Sequence, residues 1–222
     1  MFPLRDDQPH YSQPIVVLLL IAINAMVFLH EMQLDPYSRN YFIAHYGVVP
    51  DHMSLLTLVT SQFLHGGWLH IIGNMVFLWA FGRSLEDAMG SAKFFAFYLA
   101  SGIAAGLTQV FFNAGSHVPT VGASGAIAGV MGAYLIKFPR ARVMTLVFIF
   151  VFLTRIEVPA LFFLPYWFVT QVFNGVGSVA YSHLTDGGTA WFAHIGGFLA
   201  GIVLVTALGT QRRYVRPRTV TW

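Results

Sequence analysis

The chain contains no cysteine and has few charged residues. Without cysteine it can form no disulfide, no thiolate metal site and no cysteine nucleophile. Charged residues make up only 9% of its 222 residues, whereas soluble chains carry about 25%. Together with its high apolar content, this shortage excludes a disordered chain, a disulfide-rich secreted scaffold and a cytosolic enzyme. The class that fits is a polytopic membrane protein.

Hydrophobic residues make up 56% of the chain, and they gather into runs close to the length of about 20 residues that a helix needs to cross a bilayer. We predict six transmembrane helices, at residues 14–33, 66–85, 94–113, 122–137, 157–174 and 190–209. The fourth is short and rich in Gly and Ala, which predicts a place inside the bundle.

The predicted architecture is therefore an all-α membrane protein built as one six-helix domain over residues 1–222. It has a short tail at 1–13, an outer loop at 34–65 and a basic C-terminal tail at 210–222. Residues 143–153 are apolar but too short to span, which favours an interfacial or β-like segment on the inner side.

Lysine and arginine residues indicate the orientation, because they concentrate in cytoplasmic loops. With six spans and both termini inside, eleven of the twelve Lys and Arg residues lie on the cytoplasmic side and only Arg39 lies outside. The net charge of +3 on so apolar a chain does not indicate a nucleic-acid partner. The lipid bilayer is the partner that the composition implies.

Polar side chains occur near the outer ends of three predicted spans, and an ionisable group inside a membrane is by default a functional hypothesis. His70 and Asn74 lie four residues apart and share one helix face in the second span. The fourth span opens with Gly122-Ala123-Ser124-Gly125, and the sixth contains His194. Because all three spans run inward from the outer side, these groups are expected at similar depth.

Pairs of small residues four apart allow transmembrane helices to pack closely. Such pairs are formed by Gly125 and Gly129 in the fourth span and by Gly197 and Gly201 in the sixth. They predict that the two helices touch. That contact would bring Ser124 within hydrogen-bond reach of His194, as a nucleophile beside its base.

The chemistry indicated is that of a Ser–His dyad. The free N–H groups at the start of the fourth helix, with the side chains of His70 and Asn74, can donate hydrogen bonds to a developing oxyanion. No Asp or Glu lies near the middle of a predicted span, so an acidic third member is not expected. His65 is interpreted as structural support for the loop above the site.

Other intramembrane chemistries lack their residues. The chain has no His-Glu-x-x-His zinc motif and no paired intramembrane aspartates. A metal would have to rest on His65, His70 and His194 alone, so neither a metal nor another cofactor is predicted. A small transporter is a further alternative, but it gives no reason for the matched depth of Ser124 and His194.

At these residues the chain resembles the rhomboid family of intramembrane serine proteases, over roughly residues 55–205. The matching pieces are His65…His70…Asn74, Glu86-Asp87…Gly90, Gly122-Ala123-Ser124-Gly125 and His194…Gly197…Gly201. The resemblance implies that Ser124 is the nucleophile and His194 the general base. It also implies an oxyanion site made by His70, Asn74 and the backbone N–H of Ser124.

Further expectations follow from the resemblance. It implies a rhomboid-like six-helix bundle with a water-filled cavity that opens outward. Transmembrane-helix substrates would enter past the fifth span, beneath a mobile loop within 175–188, and would be cut through an acyl-enzyme. The chain departs from the family at Leu56 and Thr57, where many rhomboids carry Trp-Arg in the first outer loop.

The first functional hypothesis is thus an intramembrane serine endopeptidase that acts on transmembrane protein substrates. The alternative is a non-catalytic relative that binds membrane clients. The compact sequence and the absence of a presequence favour a multi-pass protein of a prokaryotic plasma membrane, with both termini cytoplasmic.

Overall fold

A computed structural model describes residues 2–149, 152–180 and 190–210. Its helices are α1 (Ile15–Gln33), α2 (Pro36–Tyr46), α3 (Leu55–Thr60), α4 (Trp68–Met89), α5 (Ser91–Phe112), α6 (Ser124–Lys137), α7 (Ala160–Ala180) and α8 (Trp191–Leu208). Its strands are β1 (Phe2–Asp6), β2 (Arg142–Ile149) and β3 (Phe152–Pro159). The predicted mobile loop and the basic tail lie largely outside the described residues.

The helices fit the predicted membrane class. The helices α1, α4, α5, α6, α7 and α8 occupy the positions of the six predicted spans. Judged by length and composition alone, three helices of the described part of the chain are long and apolar enough to cross a membrane, namely α1, α5 and α8. Their outward faces expose large apolar side chains such as Leu18 and Leu199. The count of six spans and the single-domain boundaries stay predictions.

Helix α6 lies at the centre of the bundle, as its small residues predict. Every residue from Gly125 to Tyr134 is buried, and α6 packs against α4, α5 and α8. Its 14 residues rise only about 21 Å, less than the hydrocarbon core of about 30 Å. Its neighbours shield it from Gly125 to Tyr134, and only its last turn, at Ile136, is exposed.

A three-stranded antiparallel sheet lies beside the helices, in the order β1-β2-β3. The hairpin of β2 and β3 pairs from Arg142 opposite Pro159 to Ile149 opposite Phe152. This confirms the β-like interpretation of residues 143–153. The predicted start of the fifth span at residue 157 is wrong, because residues 157–159 still pair in the hairpin and α7 begins at Ala160.

The N-terminal segment is a strand rather than an unstructured tail, which the sequence did not indicate. Strand β1 pairs with β2, with Phe2 opposite Leu146. Asp6 at its end is buried and accepts hydrogen bonds of 2.5 Å from the hydroxyl groups of Ser84 and Tyr134. The five residues of β1 carry no strong strand pattern, and their pairing partner lies about 140 residues further along the chain.

The segment at 34–65, predicted only as an outer loop, is largely helical. It holds α2, α3 and two 3₁₀ turns at Pro50–His52 and Ser61–Phe63. Asp35 caps α2 by accepting from the N–H groups of Tyr37 and Ser38, as an N-cap aspartate does. In α3, Leu58 is buried and lies close to Gly106 of α5.

The carboxylate of Glu86 joins two helices on the side of the bundle that carries the sheet. It accepts hydrogen bonds of 2.9 Å from the N–H groups of Val16 and Val17 in the first turn of α1. It also accepts from the hydroxyl of Ser91, the first residue of α5. A negative charge at a helix N-terminus is favourable for two reasons, since it satisfies free donors and complements the helix dipole.

Candidate active site

Helices α6 and α8 approach until their backbones touch, at the glycines singled out in the sequence. A methyl group on Gly197 would overlap the carbonyl oxygen of Gly125, and one on Gly201 would overlap that of Gly129. No side chain larger than hydrogen fits at these two points of α8. The close approach brings the beginnings of the two helices together.

Ser124 is the first residue of α6 and His194 the fourth residue of α8. The hydroxyl oxygen of Ser124 lies 2.8 Å from Nε2 of His194, within hydrogen-bond distance. His194 is 8% exposed, so its imidazole is largely screened from bulk water, while Ser124 is half-buried and lines the cavity described below. The N–H groups in the first turn of α6 have no partners within the helix, and they surround the Ser124 hydroxyl with the positive end of a helix dipole.

A third side chain, from α7, completes the contacts of the imidazole. Nδ1 of His194 lies 2.8 Å from Oε1 of Gln171, which is itself buried. The rings of Trp167 and Trp191 pack near the imidazole, with centroids 5.7 Å and 6.1 Å away. Sequence reasoning missed Gln171. Its position in a predicted span was the signal, because an amide at membrane depth is itself costly.

His70 and Asn74 lie beside the residues that precede Ser124. Gly122 has a φ of +125°, and a methyl group there would lie 2.6 Å from Nε2 of His70 and 3.6 Å from Nδ2 of Asn74. Only glycine adopts this backbone at little cost. Nδ1 of His70 accepts from the N–H of Gly66 at 3.4 Å, which leaves a proton on Nε2, the nitrogen nearer Ser124's helix.

His65 supports this arrangement from behind. Its ring is fully buried, and its Nε2 accepts a hydrogen bond of 2.9 Å from Nδ2 of Asn74. Burial lowers the pKa of His65 to about 3, so the ring is neutral and can accept. A primary amide has two N–H donors. The second N–H of Asn74 therefore stays available for another acceptor.

A buried carboxylate that sequence reasoning also missed anchors the segment containing His65. Glu31, near the end of α1, is fully buried and accepts from the backbone N–H of His65 at 3.2 Å. Arg39 of α2 donates to the carbonyl oxygen of Gly66 at 3.2 Å. These two contacts hold the loop that contains His65 and Gly66. The chain lacks Trp-Arg at positions 56 and 57, where Leu56 is exposed and Thr57 caps α3.

A cavity of about 1520 Å³ opens beside the dyad. Ser124, His194, His70 and Asn74 all line it, together with Trp167. Within the described ranges, no three His, Asp or Glu side chains are grouped closely enough to hold a metal ion. What the arrangement can do chemically is to deprotonate a hydroxyl and to donate hydrogen bonds to an oxygen beside it.

Comparison with known proteins identifies relatives of the chain. The Rhomboid domain family matches residues 52–211. The chain is 30% identical to "Rhomboid protein 1, mitochondrial" of Saccharomyces cerevisiae over 194 residues, which cover 85% of this chain and 51% of that protein. It is 31% identical to "RHOMBOID-like protein 5" of Arabidopsis thaliana over 174 residues, which cover 73% of this chain and 48% of that protein.

A bacterial relative is the "Rhomboid protease GluP" of Bacillus subtilis. It is 34% identical over 155 residues, which cover 70% of this chain and 26% of that protein. The chain spans about half the length of the yeast and plant relatives. The range that matches the family, residues 52–211, contains both Ser124 and His194.

Proposed function

The chain belongs to the rhomboid family, and we propose that it is an intramembrane serine endopeptidase that hydrolyses peptide bonds of transmembrane substrates. The observation that carries the proposal is the 2.8 Å contact between the Ser124 hydroxyl and Nε2 of His194, beside a cavity. The proposal is also supported by the relative from Bacillus subtilis, which is named a rhomboid protease.

The first half of the reaction forms an acyl-enzyme. Nε2 of His194 takes the proton of Ser124 as the hydroxyl oxygen attacks the carbonyl carbon of the substrate. The electron pair of the carbonyl moves to its oxygen, where Nε2–H of His70, the second N–H of Asn74 and the backbone N–H of Ser124 donate hydrogen bonds. When the C–N bond breaks, the leaving amine takes the proton from His194.

The second half releases the acyl group. A water molecule from the cavity attacks the ester carbonyl, and His194 takes one of its protons. The same donors stabilise the second oxyanion. Collapse of this intermediate returns the proton to the Ser124 oxygen and frees the carboxylic acid product, which restores the resting dyad.

The substrates and the membrane follow from the same features. A site inside a bundle of apolar helices favours substrates that share the bilayer, namely other transmembrane helices. That the chain is an integral membrane protein is shown by its family and its helices. The expected prokaryotic plasma membrane gains no support from the mitochondrial yeast relative, and localisation of a tagged full-length protein in its own cells decides this point.

The proposal is tested with a fluorophosphonate probe, which reacts with activated serine hydroxyls. Purified wild-type protein is expected to be labelled and to cleave a single-span substrate in proteoliposomes. Ser124→Ala and His194→Ala are each expected to lose at least about 10⁴-fold in kcat/KM, because removing one member of a catalytic dyad costs about as much as removing both.

Folding of each variant is checked by its thermal unfolding. Ser38→Ala on α2 is the serine control, because Ser38 does not line the cavity that contains Ser124 and His194. Absence of labelling in folded wild-type protein, or equal cleavage by wild type and Ser124→Ala, rules out the protease. Either result would favour the non-catalytic alternative, a protein that binds membrane clients.

A further inference from the structure

We propose that Gln171 is a positioning residue that holds the His194 imidazole with its proton on Nδ1. The inference deepens the proposed function and rests on it for its catalytic meaning. Gln171 lies on α7, while Ser124 and His194 lie on α6 and α8. The hydrogen bond between Gln171 and His194 therefore joins a third helix to the dyad.

The orientation of the Gln171 amide is set by its other contacts. Its Nε2 donates to the carbonyl oxygen of Trp167 at 3.1 Å and to the hydroxyl oxygen of Thr170 at 3.0 Å. The Thr170 hydroxyl donates its own hydrogen bond to the same Trp167 carbonyl oxygen, at 2.6 Å. If the amide were reversed, its oxygen would face a carbonyl oxygen without a proton between them. Oε1 of Gln171 must therefore face His194.

This orientation decides which nitrogen of His194 carries the proton. An amide oxygen can only accept, so Nδ1 of His194, 2.8 Å from Oε1, must be the donor. A neutral imidazole has one N–H, and Nε2 is then left with its lone pair. That lone pair faces the Ser124 hydroxyl at 2.8 Å, as required of a base. In the opposite tautomer Nε2–H would donate to the Ser124 oxygen and could not take its proton, and the lone pair of Nδ1 would face that of Oε1.

Burial of Gln171 and His194 strengthens the preference for the proton on Nδ1. Gln171 is 5% exposed and His194 8% exposed, so water competes little for Nδ1. No carboxylate in the described part of the chain is hydrogen-bonded to His194. The amide thus orients the imidazole, as the acidic third residue of a catalytic triad does, but it carries no charge. After proton transfer from Ser124, Nδ1–H continues to donate to the same oxygen.

Two substitutions separate the hydrogen bond from packing. Gln171→Met keeps the length of the side chain but offers Nδ1 only a weak thioether acceptor, whereas Gln171→Glu in its neutral acid form keeps an acceptor oxygen for Nδ1 and an O–H donor for the Trp167 carbonyl. Nitrogen-15 NMR of histidine-labelled full-length protein in micelles reports the protonated nitrogen, with His194→Ala to assign the signal. Gln62→Met is the matched control, because Gln62 is also buried but binds the carbonyl oxygens of Leu58 and Leu99.

In Gln171→Met the Nδ1–H form of His194 is expected to give way to a mixture of tautomers. Its kcat is expected to fall about tenfold, the effect of one lost hydrogen bond, while KM changes by less than about twofold. Gln171→Glu is expected to restore the Nδ1–H form and most of kcat. Gln62→Met is expected to keep the wild-type tautomer.

The proposal is overturned if Gln171→Met keeps the Nδ1–H form of His194, whatever happens to its rate. It is also overturned if Met and Glu reduce kcat equally with the tautomer unchanged, because that result describes packing. Failure of the protease function is a separate outcome, seen as wild-type protein that neither cleaves nor labels. The tautomer of His194 in Gln171→Met is measured without any reaction.

Discussion

Uncharged polar side chains carry the proposed chemistry. Ser124, His194, Gln171, His70 and Asn74 are all uncharged before the reaction begins, and neutral groups cost less than ions at membrane depth. Each contacts a polar partner. Ser124 contacts His194, and His194 contacts Gln171. His70 accepts from the N–H of Gly66, and Asn74 donates to the imidazole of His65. Pairing of this kind fixes tautomers and orientations before a substrate arrives.

Gly122 provides a test at this scale. Gly122→Ala forces a side chain into a φ of +125° and within 2.6 Å of His70 Nε2. We expect a loss of about 1–3 kcal/mol in the free energy of unfolding and a fall of at least about tenfold in kcat, since one oxyanion donor is displaced. Unfolding in micelles and steady-state kinetics measure the two effects.

Gly115→Ala is the matched control for this variant. Gly115 also has a positive φ, +84°, but nothing lies within 4 Å of an added methyl group. It therefore carries the backbone strain without the collision. Equal falls in kcat for the two variants would contradict the account given for Gly122, because strain alone would then explain the loss.

Helix α6 acts as the element on which the others are assembled. Its glycines let α8 pack against it at backbone distance, and Ala105 of α5 would meet a methyl group on Gly125 at 2.6 Å. Glu86 at the other end of α4 ties α1 and α5 to the same bundle. The dyad is thus an outcome of how closely α6 and α8 approach, rather than of any flexible loop.

Separation of α6 and α8 is expected to cost both stability and activity. Gly201→Ala places a methyl group against the Gly129 carbonyl, so we expect a loss of about 1–3 kcal/mol from overpacking and weaker labelling of Ser124 by fluorophosphonate. Gly73→Ala on α4, where nothing lies within 4 Å of the new methyl group, is expected to unfold at or above the wild-type temperature. If both variants unfold like wild type, close packing of α6 and α8 does not stabilise the bundle.

At the scale of the molecule, the sheet and the outer helices lie at opposite ends of the predicted spans. Strand β1 precedes α1 and pairs with the hairpin that precedes α7. Helices α2 and α3 follow α1 and contribute to the segment that holds His65 and Gly66. In the predicted six-span topology, this arrangement places the N-terminus and the hairpin on one side of the membrane and the site near the other.

The absence of cysteine makes this topology simple to test. Single cysteines replace Tyr37, which is 82% exposed on α2, and Gln8, which follows β1. In sealed vesicles a membrane-impermeant maleimide is expected to label only one of the two, and vesicles of the opposite orientation only the other. Labelling of both from one side would contradict the predicted topology, and permeabilised vesicles control for access.

Much of the fold could be predicted because it depends on local properties of the chain. Runs of apolar residues located the helices within a few residues, and a run too short to span predicted the strand segment at 143–153. The glycine spacing of α6 and α8 and the shared depth of Ser124 and His194 were sufficient to predict their proximity. The roles of these residues in catalysis stay proposals until the labelling and kinetic tests are made.

Only the tertiary structure revealed Gln171 beside His194, Glu31 beneath His65 and β1 paired with β2. The contacts of Gln171 and Glu31 depend on how their helices are rotated about their axes, and the pairing of β1 depends on a partner about 140 residues away. A local sequence pattern encodes neither the rotation nor the distant partner. The lack of cysteine and the shortage of charge determined the membrane class and left a chemistry of neutral groups. The packing of the helices decided which neutral groups meet, because hydrogen bonds between helices form only where three-dimensional contact places donor against acceptor.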